Sequence, residues 1–145
     1  MPGTLHRLVY LSRNRIAGTA IDAEITAILA TARRNNARHG VTGALLFSAD
    51  TFAQVLEGPL AAIERTFERI QYDARHDDVT VLQIVPIKRR AFPDWSMAFA
   101  GTAPSGDTPS GQALARALAG PEANAGEDIV AALRELVRCE PEWAV

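Results

Sequence analysis

Apolar and polar positions alternate over residues 5–12, setting Leu8, Tyr10 and Ser12 on one side and Val9 and Leu11 on the other, as in a strand. Over residues 21–35 the spacing lengthens to that of a helix. Ile21, Ile25, Ile28, Leu29 and Ala32 form its stripe, Thr19 or Asp22 can cap its start, and Gly40 stands just beyond its end. Asn35 and Asn36 are expected to close that helix. Residues 41–47 and 51–56 predict a hairpin joined around Ser48, Ala49 and Asp50, with Phe52, Gln54 and Leu56 on one face of its second strand. Gly58 and Pro59 are expected to break that strand, and Pro59 suits the first turn of a second helix with the stripe Leu60, Ile63, Phe67 and Ile70. A polar stretch at 73–78 precedes a strand expected over 79–87, and residues 95–99 read as a fifth strand.

The order strand-helix-strand-strand-helix-strand predicts an α+β fold, a ferredoxin-like sandwich (βαββαβ plus a fifth strand) with two helices on one face of the sheet. The first helix, and with it Ile28 and Asn35, would lie over the face that carries Tyr10 and Gln54. Composition shifts near residue 100. Residues 101–107 are linker-like, and 112–119 and 127–138 predict two short amphipathic helices that cap the other sheet face or contact a partner. The expected organisation is one domain over 1–100, followed by a linker and two helices over 101–145.

Composition narrows the class of function. The 145 residues, about half of them apolar, suffice to bury a core without disulfides. A net charge of −2 argues against electrostatic nucleic-acid binding, and the basic run Lys88-Arg89-Arg90 reads as a solvated strand end. Cys139 is the only cysteine, so it cannot form an internal disulfide; it reads as structural and fits a reducing cytosol. Without a signal-peptide core or an apolar run of membrane-spanning length, the chain is expected to be cytoplasmic, with no membrane partner.

Gln54 sits between Phe52 and Leu56 on a strand face, and an amide in such a place must find hydrogen-bond partners. The protein or a bound polar heterocycle can supply them. Tyr10, Asn35, Asn36 and Arg75 each have an ordinary reading alone, as a core tyrosine, helix-closing asparagines and a cation beside a helix end. Together with Gln54 they can converge on one pocket and meet the edge of a flat heterocycle, while Ile28, Phe52, Leu56 and Met97 line its faces. The sequence offers no Ser/His/Asp set, no spaced carboxylate pair and no metal cluster, so no catalytic or metal-ligating residue is expected. The pattern suits a sensor or binder rather than an enzyme.

The same residues resemble the BLUF family, blue-light sensors that use flavin. The resemblance covers residues 5–99. Its motifs are Leu8-Val9-Tyr10-Leu11-Ser12, Arg34-Asn35-Asn36 with Gly40-Val41-Thr42-Gly43, the run from Phe52 to Pro59, Asp73-Ala74-Arg75-His76, and Arg89-Arg90-Ala91-Phe92 leading to Trp95-Ser96-Met97. It implies a non-covalently bound FAD, with FMN or riboflavin as alternatives. It further implies that Tyr10 is the photochemical electron donor and Gln54 the switch beside the ring. Asn36, Asn35 and Arg75 would hydrogen-bond the cofactor, His76 and Ile28 would pack near it, and Trp95 and Met97 would relay the signal. Light would rearrange the Tyr10–Gln54–flavin hydrogen bonds, shift absorption slightly to the red, and bias the strand that carries Trp95 and Met97. The expected output is a separate downstream signalling protein or self-association as a homo-oligomer.

Three other readings compete. A light-insensitive flavin-binding or assembly module would have no need of Tyr10 and Gln54. An acylphosphatase-like hydrolase would need a glycine-rich anion loop after the first strand, of which residues 12–18 are a poor version. An RNA-binding sandwich would display paired aromatics where the first strand has Val9 and Leu11.

Overall fold

The computed structural model describes residues 5–14, 21–47, 51–72, 76–92, 98–102 and 125–139. The elements are β1 (Leu5–Asn14), α1 (Ile21–His39), β2 (Thr42–Phe47), β3 (Thr51–Pro59), α2 (Leu60–Gln71), β4 (His76–Pro86), β5 (Ala98–Thr102) and α3 (Ala125–Cys139). Five strands form one sheet in the order β4-β1-β3-β2-β5. The first four pair antiparallel, and β5 joins the edge parallel to β2. This is the expected ferredoxin-like α+β order with a fifth strand added.

Alternation along the strands divides the core in two. Leu8, Tyr10, Leu45, Phe52 and Leu56 point to an inner face, where they pack with Leu29 of α1 and Ile63 of α2. Val9, Ala44, Leu46, Ala53 and Val55 point to the outer face and pack with Ile129, Val130 and Leu133 of α3 and with Phe92. The outer face is thus covered by the chain itself, and Val9 is wholly buried. An open nucleic-acid platform on that face is excluded. The other C-terminal helix, expected over 112–119, lies outside the described residues.

Several boundaries differ from the sequence expectation. Helix α1 runs through Asn35 and Asn36 to His39. Its stop is Gly40, at φ 72°, with the Val41 amide donating to the Asn36 carbonyl at 2.9 Å. That bond and the left-handed glycine make a Schellman cap. The two asparagines are therefore interior to the helix, where tertiary contacts override their weak propensity. Strand β3 does not break at Gly58; it pairs with β1 through Pro59, and Pro59 becomes the N-cap of α2. A Cβ on Gly58 would stand 2.9 Å from the Gly40 carbonyl oxygen, so glycine there lets the α1–β2 turn cross the strand. Strand β4 starts at His76 rather than 79, its pairing with β1 interrupted by two register shifts that an edge strand accommodates. Strand β5 lies three residues later than expected, at Ala98–Thr102, and runs past the boundary anticipated at residue 100. Gly101 pairs with Leu46 just after a register shift, where a glycine suits the irregular backbone.

Candidate functional site

Between α1 and α2, above the inner face, lies a cavity of about 210 Å³. A single water needs about 10–15 Å³ on such a measure, so the space is an order of magnitude larger than a water site. Helix α1 contributes Ile28, Thr31, Ala32, Asn35 and Asn36, positions that share one side of a helix by the 3.6-residue repeat. Helix α2 contributes Thr66, Arg69 and Ile70, and the sheet supplies the floor with Tyr10, Leu45, Phe52 and Gln54.

The floor is set by strand register. Tyr10 on β1 and Leu45 on β2 both stand opposite Gln54 on β3, so these three side chains lie side by side across the sheet. The Tyr10 hydroxyl donates to Gln54 Oε1. Both residues are buried, with 3% and 5% of their surface exposed. The Phe67 ring packs on the Tyr10 ring with centroids 5.5 Å apart and planes tilted by 53°. Asn36 is only 1% exposed, and its backbone is held by the cap described above. The site thus combines an oxidisable phenol, two buried carboxamides and apolar walls, which can receive a flat ring with a polar edge.

Of the residues singled out from the sequence, Tyr10, Ile28, Asn35, Asn36, Phe52 and Gln54 meet at this cavity. Leu56 does not line it. It stands opposite Leu8, wholly buried in the inner core, because the next inner position after Gln54 is already beneath α2. The backbone of His76 opens β4 opposite Asn14; its side chain, and all of Arg75, Trp95 and Met97, lie outside the described residues. Sequence reasoning missed Thr31, Ala32, Leu45, Thr66, Arg69 and Ile70. Ile70 belongs to the apolar stripe of α2, and Thr66 beside that stripe is the hint of a polar wall that the sequence offers.

A second polar centre sits on the outer side of β3. Glu57 is wholly buried, and its carboxylate accepts from Arg7 Nε at 2.9 Å, the Ala91 amide at 3.0 Å and the Phe92 amide at 2.9 Å. Arg90 donates to the Glu57 and Gly40 carbonyls and to Thr42 Oγ1 at 2.8–3.0 Å. A buried carboxylate with this many charge-assisted bonds pins the 90–92 segment to the sheet.

A family model described as BLUF, sensors of blue-light using FAD, matches residues 5–98. The photoactivated adenylate cyclase subunit beta of Euglena gracilis is 38% identical over 98 residues, which are 67% of this chain and 11% of that protein. The chain therefore spans about a tenth of the length of the curated relatives it matches. The dark-state structure of BlrB, a BLUF protein, superposes with a TM-score of 0.75 at 33% identity, over 91% of this chain and 98% of that one. The photo-activated state of BlsA gives 0.76 at 26% identity, over 92% and 94%.

Proposed function

The chain belongs to the BLUF family of blue-light sensors, and on that premise we propose that it is a light receptor that holds a flavin non-covalently between α1 and α2. The observation that carries this reading is the buried Tyr10–Gln54 hydrogen bond on the floor of a cavity far larger than a water site. Asn36 and Gln54 would meet the polar edge of the ring, Asn35 would contact the ring or its tail, and Ile28 and Phe52 would flank it. Arg75, His76 and Met97 complete the proposed binding set. FAD is the proposed cofactor, with FMN or riboflavin able to take its place.

When bound, the flavin supplies visible absorption and, once excited, the oxidising power to draw an electron from a phenol. Tyr10 is the phenol at hand. Once oxidised a phenol becomes strongly acidic, and Gln54 Oε1, which already accepts its hydrogen bond, is the base that receives the proton. A half-turn of the Gln54 amide exchanges donor for acceptor at the cavity, so one buried side chain offers two hydrogen-bond patterns to the same ring edge. Electron and proton then return to Tyr10, with no net chemistry. The protein acts as a sensor rather than an enzyme, with Trp95 and Met97 carrying the change onward to a separate cytoplasmic signalling protein or into self-association. No helix among the described residues is long and apolar enough to cross a membrane.

The test is the absorption spectrum of the purified protein before and after blue light. A flavin spectrum with a reversible red shift is expected, and Gln54→Leu should keep the flavin but lose the shift. A protein left colourless after reconstitution with FAD, FMN and riboflavin would overturn the reading, and a normal shift in Gln54→Leu would remove Gln54 from the switch.

A further inference from the structure

A basic run at a strand end is ordinarily just solvated, and Lys88-Arg89-Arg90 by itself carries no more than that. Its placement adds to it. Arg90 Nη2 donates at 2.8 Å to the carbonyl of Gly40, fifty residues away in sequence, and Nη1 donates to Thr42 Oγ1. These bonds tie the 88–90 segment to the C-terminal end of α1, where Arg34, Arg38 and His39 lie. Arg34 and Arg38 are one helical turn apart on the same side of α1, and both are exposed, as are Lys88 and Arg89. Two basic segments therefore meet at one corner of the molecule. Acidic residues are missing from both: residues 25–49 and 79–93 contain no Asp or Glu. Glu24 stands ten residues before Arg34, about 15 Å along the helix. Glu57 is wholly buried, its carboxylate held by Arg7 and the 91–92 amides. Among the described residues no carboxylate pairs with Arg34, Arg38, Lys88 or Arg89. Helix dipoles do not set the potential there either. Gly58, packed on Gly40, leads into the start of α2, so the negative end of α1 and the positive end of α2 offset each other.

We propose that this corner docks an acidic peptide segment of the separate signalling protein. The inference rests on the reading of this chain as a sensor with a separate partner, and supplies the chemistry of the contact. Exposed guanidinium groups match carboxylates in charge and in their forked donors. The patch is small and the whole chain carries a net charge of −2, so a long polyanion such as a nucleic acid gains little here and is repelled elsewhere. A short acidic segment fits both facts. The corner is also joined to the cavity. The Asn36 carbonyl accepts from Val41 in the same turn, and the Glu57 carbonyl accepts from Arg90 at 3.0 Å. A change at Asn36 or along β3 thus reaches the backbone that holds the two basic segments together.

The experiment titrates the full-length protein into a short fluorescent peptide of alternating Glu and Ser and follows anisotropy at low and at high ionic strength. The same peptide with Gln for Glu is the uncharged comparison. The Glu peptide should bind more tightly, and its affinity should fall as salt rises. Arg34→Gln with Arg89→Gln, one change in each segment, should weaken binding by roughly threefold to tenfold. Arg134→Glu removes the same charge from an exposed site on α3 and should weaken it by no more than about twofold. Equal losses in the two variants would overturn the proposal, because net charge rather than this corner would then govern binding. Were the variants to misfold, equal affinity of the unmodified protein for the Glu and Gln peptides would overturn it as well. Tighter capture of phosphatidylserine vesicles or of a single-stranded oligonucleotide than of the Glu peptide would overturn the assignment of a protein partner. The titration needs no light, so a protein that binds the peptide at this corner but takes up no flavin would support the surface and overturn the light-receptor reading alone.

Discussion

Tyr10 and Gln54 share an inner-face register position on adjacent strands, and the phenol donates to the amide oxygen. Phe in place of Tyr10 retains the ring that packs at a tilt against Phe67 and removes the hydroxyl that could be oxidised. Tyr10→Phe should therefore bind flavin, fluoresce more strongly and for longer than the unmodified protein, and lack the reversible red shift. Its stability should fall by about 1 kcal/mol, the usual worth of one buried hydrogen bond. Time-resolved flavin emission reads the first effect, and an unchanged lifetime with an intact photocycle would reduce Tyr10 to a core residue. Asn36 owes its place to a different local device, since Gly40 ends α1 and fixes the turn in which Asn36 sits.

Strand β3 is the element on which both faces depend. Its even positions Phe52, Gln54 and Leu56 serve the inner layer, and its odd positions Ala53, Val55 and Glu57 serve the outer one. Helix α3 completes that outer layer. Its approach to β4 is close at Gly126, where a Cβ would stand 2.6 Å from the Gln83 side chain, and Gln83 Nε2 donates to Glu127 Oε1 at 2.8 Å. Leu133, with no exposed surface, is central to the contact. Leu133→Ala should cost about 2–5 kcal/mol, as for other large-to-small changes in a packed core. Urea unfolding followed by circular dichroism would show a lowered midpoint with an unchanged slope. A loss below about 1 kcal/mol would mean that α3 does not pack on the sheet in solution.

At the scale of the molecule, a single five-stranded sheet separates the two core layers. Gln54 faces the cavity, and three residues on, Glu57 holds Arg7 and the 91–92 backbone on the opposite side. That backbone leads directly into residues 93–97, the stretch proposed to carry the signal. Illumination should therefore alter amide hydrogen exchange in β3 and in α3, not only in α1 and α2. Glu57→Gln, which keeps the shape and removes the charge, should diminish the difference in α3 while the red shift persists. Light-dependent exchange confined to α1 and α2 would show that the signal does not cross the sheet.

Spacing along the chain was enough to assign Tyr10, Gln54 and Phe52 to one face, to order the elements, and to mark Gly40 as the stop of α1, because periodicity and glycine stereochemistry are local properties. The resemblance of the motifs to a flavin-binding family was legible for the same reason: each motif is short and contiguous. Other features were decided only by tertiary structure. Asn35 and Asn36 read as a helix end until the Val41–Asn36 bond placed the true end beyond them. Leu45 became part of the floor through cross-strand register, and Glu57 acquired its partners from segments far away in sequence. Along the sequence Thr66 and Arg69 are polar positions beside the apolar stripe of α2. They became a cavity wall because α1 and α2 lie over the same sheet face with a gap between them, and no single segment encodes the shape of that gap.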